Sequence, residues 1–249
     1  MRPSPAPSQT VMPLLDPTPD LPTKAGARRR WGPLPGGALG LAIAETVTRT
    51  GKVCVAVTRD TAGAELLADE IAFFAGTDHR VVTFPDWETL VYDAFSPHHD
   101  IISARLAALN QIVAMSGPAV IVVPAHTLMH RLPPRQFALG RSLHLDVGQS
   151  LDIDVMRRTL TAAAYRAVDT VYEHGEFALR GSILDVFPMG SDTPFRIDLF
   201  DDEIETLRTF DPETQLSSDR VDRIRLLPAR EFPLDAEGIS TFRDRWSQQ

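Results

Sequence analysis

Three stretches of this 249-residue chain place reactive residue types at spacings that matter. The first is Pro35-Gly36-Gly37-Ala38-Leu39-Gly40, at the entry to an apolar helical pattern. A phosphate-binding loop needs glycines for close backbone approach. It also needs a lysine against the β- and γ-phosphates and a hydroxyl for magnesium. Here the glycines remain, Leu39 stands at the lysine slot and Gly40 at the hydroxyl slot. Leucine neutralises no phosphate, so Gly36, Gly37, Leu39 and Gly40 read as a degenerate, non-binding phosphate loop. Dinucleotide binding fares no better, because no convincing strand pattern precedes Gly36.

The second stretch is His98-His99-Asp100. Adjacent helical residues point about 100° apart and do not readily share one ion, so no metal site is expected there. Asp100, in a first turn, complements the helix dipole. His126 and His130 stand four apart but lack the intervening acid of the zinc-protease pattern. His79, His144 and His174 show no ligand spacing, and Asp201, Asp202, Glu203 and Glu205 read as a solvated hairpin tip. Cys54 is the single cysteine, which excludes an internal disulfide framework and a four-cysteine zinc site. It falls mid-strand, where a thiol is inert. No nucleophile motif is visible, and no catalytic residue is assigned.

The third stretch is Phe195-Arg196-Ile197-Asp198-Leu199-Phe200. Strand side chains alternate, so Phe195, Ile197 and Leu199 form a core face, while Arg196, Asp198 and Phe200 take the opposite, exposed face. In the preceding strand Phe177 and Leu179 face inward and Ala178 and Arg180 outward. If the strands pair, Arg180, Arg196 and Phe200 share one surface. Arginine with an aromatic is the composition of a protein-interface hot spot. The competing reading has Phe200 capped by a loop and the arginines paired with Asp198 or Asp185. Patterning alone leaves both open.

These residues need elements to hold them. Residues 38–47 read as a buried helix, and Val53–Thr58 as a strand covered on both faces. A helix follows with Leu67, Ile71 and Phe74 on its buried side and Gly76 as its stop. Residues 81–84 make a second strand. Ser96-Pro97 opens a third helix, serine as N-cap and proline at N1, with a stripe of Ile102, Leu106, Leu109 and Val113. Residues 119–123 are a third buried strand, and helices alternating with apolar strands imply a parallel sheet. The second half predicts a helix over 152–164, with Val155, Leu160 and Ala163 as apolar contacts, then an antiparallel meander through residue 210. The fold class is therefore α/β followed by a smaller α+β unit with an antiparallel sheet.

Composition bounds the function. Hydrophobic residues make 43% and charged residues 23%, ordinary for a globular protein, and the net charge is −8. That balance argues against a bulk electrostatic grip on DNA or anionic membrane. No apolar run is long enough to span a bilayer and no secretory signal opens the chain, so a cytoplasmic protein is expected. Residues 1–30 form a proline-rich arm expected to be disordered, closing on Arg28-Arg29-Arg30, a solvated run or a nucleic-acid contact.

Long motifs then carry a resemblance. Residues 84–90 (FPDWETL), Tyr92-Asp93, residues 95–103 (FSPHHDIIS), 175–181 (GEFALRG), 185–191 (DVFPMGS), 196–205 (RIDLFDDEIE) and 208–215 (RTFDPETQ) resemble the N-terminal, UvrB-like region of the bacterial transcription-repair coupling factors, the Mfd family. The match runs from about Leu34 to the end of the chain.

The resemblance implies a UvrB-like α/β domain over 31–134, with its phosphate loop degenerate. A UvrA-binding α+β domain follows over 135–225, and 226–249 begins a further α/β segment. It implies UvrA as partner, bound by Arg180, Arg196 and Phe200. UvrB inserts a DNA-clamping hairpin after its Tyr-Asp motif; here Tyr92-Asp93 runs within a few residues into a helix. ATP and magnesium are expected only in motor domains absent from this chain, which also reach double-stranded DNA. RNA polymerase is a partner through other absent parts. The chain is read as a non-enzymatic piece that recruits UvrA to stalled polymerase for transcription-coupled repair. The alternative is a UvrB-like, nucleotide-dependent DNA-binding module.

Overall fold

The computed structural model of the chain describes residues 21–90, 93–140, 142–234 and 236–246. Most of the expected arm and Tyr92 lie outside these residues. Residues 27–35 are coil, and Arg28, Arg29 and Arg30 are exposed.

Helix α1 (Ala38–Thr50) buries small side chains, Gly40, Ala42 and Ala44, with Ile43 and Val47. It ends at Gly51, whose left-handed backbone (φ 62°) lets its N–H reach Val47 O at 2.9 Å. Strand β1 (Val53–Thr58) leads into helix α2 (Thr61–Ala75), which Asp60 caps by accepting the Gly63 N–H at 2.9 Å. Strand β2 (Arg80–Thr83), helix α3 (His99–Val113) and strand β3 (Ala119–Pro124) complete a three-stranded parallel sheet in the order β1-β3-β2.

Three expectations change here. Strand β1 is not covered on both faces: Val53, Val55 and Val57 are exposed. Helices α1 and α2 seal one side, joining Ile43, Val47, Leu67 and Ile71 to Val120 and Val122. On the other side the α3 cluster gathers Val82, Phe84, Ala108, Leu109 and Val123 without reaching the edge strand β1. The doubly covered strand is the central β3. Second, Phe74 is not on the buried side of α2. The stripe passes from Ile71 to Ala75, and Phe74 lies at the margin, edge-on to Phe73 at 5.1 Å.

Third, α3 does not open at Ser96-Pro97. His98 is the N-cap, extended (φ −60°, ψ 144°), and its Nδ1 accepts the Asp100 N–H at 3.3 Å. A first turn beginning there holds Asp100 against His174 at 2.7 Å, a contact to the second half of the molecule.

A 3₁₀ turn (Thr127–Met129) and helix α4 (Arg135–Gly140) follow, then strand β4 (Leu143–Asp146). Helix α5 (Ile153–Ala162) is capped by Asp152, whose carboxylate accepts the N–H groups of Asp154 and Val155. It buries Met156 and Leu160, whereas Val155, expected inside, is exposed. Strands β5 (Arg166–Ala167), β6 (Glu176–Arg180), β7 (Ile183–Val186), β8 (Phe195–Phe200), β9 (Glu203–Phe210) and β10 (Ser217–Val221) form a six-stranded sheet in reverse chain order. All its pairings are antiparallel except β5 with β6. Strand β11 (Arg223–Leu226) pairs with β4, and α6 (Ala236–Trp246) ends the described chain. The inner face of the large sheet supplies Phe177, Leu184, Ile197 and Leu207 to a core shared with Met156, Leu160, Leu145 and Ile224.

The halves are joined by a buried ion pair. Arg105 on α3 meets Glu231 bidentately, Nε to Oε2 at 2.9 Å and Nη2 to Oε1 at 3.0 Å. Both side chains are fully buried, and the guanidinium carbon sits 4.4 Å from the Phe84 and Trp87 ring centroids. Leu106, Met189 and Leu227 cluster beside it, and Ser103 Oγ accepts the Gly190 N–H at 2.8 Å. Among the described residues no helix is long and apolar enough to cross a membrane.

Candidate protein-docking face

The outer face of the six-stranded sheet carries the residues that alternation singled out. Asp185 on β7 stands directly opposite Arg196 on β8. Arg196 clasps it with two hydrogen bonds, Nε to Oδ1 at 2.7 Å and Nη2 to Oδ2 at 2.9 Å. Arg180, from β6, donates to Asp185 Oδ2 as well. One fully buried carboxylate thus orients two guanidinium groups, Arg180 47% exposed and Arg196 17%. These hydrogen bonds, first of all, and the Asp185 charge hold Arg196 above the ordinary arginine range, against the opposing pull of burial.

The loop before β10 locks Arg196 further. Asp211 accepts the N–H groups of Glu213 and Thr214 at 2.8 and 3.0 Å, which folds the turn. Gln215 follows in the left-handed region (φ 62°), and its carbonyl accepts Arg196 Nη1 at 3.1 Å. Ser217 Oγ accepts the same nitrogen at 3.2 Å, and Phe210 lies under the guanidinium at 4.9 Å. Arg196 therefore keeps little free donor capacity, while Arg180 retains most of its own.

Phe200, two residues along β8 from Asp198, is 70% exposed. The arginines do pair with Asp185, and Phe200 is not capped. Ala178 lies on this side of its strand, as alternation requires, but Val171, Phe187 and Phe210 cover it. The face is thus apolar and closed at one end, with Phe200 open beyond the arginine pair. Such a surface suits a partner offering carboxylates beside an apolar pocket.

The glycines near the first helix have a packing role. A Cβ on Gly40 would lie 2.7 Å from Glu70 Cβ and 3.0 Å from the Glu70 carbonyl carbon, so only glycine lets α1 approach α2 this closely. A Cβ on Gly37 would press the Phe74 ring at 3.2 Å. Gly36 is left-handed (φ 54°), and Leu39 is exposed.

Sequence reasoning missed one cluster. Beyond the carboxyl ends of β2 and β3, Asp86 accepts the Thr127 hydroxyl at 3.0 Å and the Glu88 N–H at 3.1 Å. His126 and His130 approach the same carboxylate at 3.3 and 3.7 Å. Burial pushes Asp86 up, but those hydrogen bonds and the two imidazoles together hold it below the ordinary carboxylate range. The i, i+4 histidines were the visible signal; their shared acid comes from a distant loop. Among the described residues no three histidine, cysteine or acidic side chains are arranged to hold a metal ion.

Residues 143–232 match the family described as the UvrB interaction domain. The matched stretch contains β6 to β10 and hence the whole arginine–phenylalanine face. Over most of its length the chain is similar to transcription-repair-coupling factors. The factor of Escherichia coli (strain K12) is 48% identical over 226 residues, which is 91% of this chain and 19% of that protein. That of Haemophilus influenzae is 46% identical over 230 residues, 92% of this chain and 20% of that protein. The factor of Myxococcus xanthus is 34% identical over 221 residues, 86% of this chain and 18% of that protein. The chain resembles the N-terminal region of these factors and spans about a fifth of their length.

Proposed function

We propose that this chain is a UvrA-recruiting module of a bacterial transcription-repair coupling factor, bringing the excision-repair machinery to stalled RNA polymerase. One observation carries the reading. A stretch that matches the UvrB interaction domain family presents Arg180, Arg196 and Phe200 on one sheet face, with the two arginines oriented by a single buried carboxylate. Arg180 reaches acidic groups on UvrA, Phe200 is the apolar anchor, and Arg196 sets the geometry behind them. RNA polymerase and double-stranded DNA are met by other parts of the longer protein, and the setting is the bacterial cytoplasm.

The module is not itself an enzyme in this reading. The loop at Gly36, Gly37, Leu39 and Gly40 is a degenerate, P-loop-like remnant whose glycines serve the α1–α2 contact. The division of the chain follows the same logic: a UvrB-like domain over 31–134, the UvrA-binding domain over 135–225, and the start of a further α/β segment over 226–249. The buried Arg105–Glu231 pair ties that segment to α3.

Binding to purified UvrA tests the proposal. A charge-assisted arginine contact contributes on the order of 1.5–3 kcal/mol. Arg180→Ala with Arg196→Ala is expected to weaken binding by more than about a hundredfold. Phe200→Ala, which leaves the hydrogen bonds to Asp185 in place, is expected to weaken it independently. Parent-like affinity in both variants would remove this face as the docking site.

A further inference from the structure

The register of the large sheet sets more arginine on this face than the proposed site uses. Arg196 on β8 stands directly opposite Arg208 on β9, and Arg208 stands directly opposite Arg220 on β10. With neighbouring strands about 4.8 Å apart, three like charges cross about 10 Å of sheet in one line. Along that line Asp185, at its inner end, is the only acid. Like charges directly opposite each other destabilise a sheet. Arg208 Nε is buried and donates to no protein atom, an unusual state for a buried donor. Among the described residues neither Arg208 nor Arg220 pairs with a carboxylate.

Resting on the reading above, we propose that Arg208 and Arg220 extend the docking face to the sheet edge, where the row receives an acidic polypeptide segment of UvrA. Charge complementarity names the occupant: a row short of counter-charge, in a chain of net charge −8, fits a partner's carboxylates. Two exposed apolar side chains, Phe200 on β8 and Leu216 at the entry to β10, make the occupant a protein. Both are 70% exposed, and a phosphate backbone has no use for them.

The experiment compares the full chain with its Arg208→Gln plus Arg220→Gln variant, against purified UvrA over a range of salt concentrations. The double variant is expected to bind about tenfold more weakly, with a shallower salt dependence. Its melting temperature should be unchanged or raised, since opposed like charges are removed. Arg220→Gln alone, at the exposed edge, should give a smaller loss in the same direction. Unchanged affinity and salt dependence in the double variant, while Phe200→Ala still weakens binding, would overturn the extension and leave the earlier reading standing. A parent chain that does not bind UvrA would overturn both. A duplex DNA bound by the parent and lost in the double variant, with UvrA binding intact, would assign the row to nucleic acid and overturn the proposal.

Discussion

Asp185 exposes no surface, yet it sets the geometry of a surface. Its two oxygens take three hydrogen bonds from Arg180 and Arg196. Its loss removes charge-assisted hydrogen bonds from two guanidinium groups that water still reaches, at a cost of about 1.5–3 kcal/mol. Asp185→Ala is therefore expected to lower the unfolding free energy by that amount, read by equilibrium denaturation as a lower urea midpoint at an unchanged m-value. It should also weaken UvrA binding, because Arg180 loses its orientation. Alternation placed Arg180, Arg196 and Phe200 on one side of the sheet because a strand's side-chain period is two. It left open whether Asp185 pairs with the arginines. The loop at 211–217 closes over Arg196, and burial of that kind depends on residues far along the chain.

The helices show how an element's ends and contacts are decided. Asp152 caps α5 through contacts that need only the next three residues. Ser96-Pro97 had the same local signature, and His98 holds the position instead, with Asp100 drawn to His174. Gly40 looked like a remnant of a phosphate loop, and the α1–α2 contact explains it without any ligand. Gly40→Ala gains helix propensity of up to about 1 kcal/mol. It also drives a methyl into the Glu70 backbone, an overpacking cost of about 1–3 kcal/mol. The expected net result is a lower melting temperature. A stabilised Gly40→Ala protein would show that α1 shifts freely.

Across the whole molecule, the Arg105–Glu231 pair ties α3 to the chain beyond β11, with Phe84 and Trp87 enclosing the guanidinium. Glu231→Ala is expected to cost about 3–5 kcal/mol, because it strands a buried guanidinium. Arg105→Met combined with Glu231→Leu should recover much of that loss, since apolar groups of similar volume need no partner. Chemical denaturation of the two variants checks the order. The Phe-Pro-Asp-Trp stretch that helped carry the resemblance thus has structural duties: Phe84 and Trp87 hold Arg105, and Asp86 gathers Thr127, His126 and His130.

Local order along the chain settled the helices and strands as far as β3, helix α5 and the meander of β6 to β9, the α/β-then-α+β layout and the shared side of Arg180, Arg196 and Phe200. Each rests on periodicity, which acts between near neighbours. The long motifs also carried the resemblance to the transcription-repair coupling factors. Tertiary structure decided what periodicity cannot reach. It left Val53, Val55 and Val57 uncovered, because strand order made β1 an edge. It spent Arg196 on Asp185, the Gln215 carbonyl and the Ser217 hydroxyl, leaving Arg180 and Phe200 to face outward. It aligned Arg196, Arg208 and Arg220, because register joins residues from three strands that spacing along the chain does not connect.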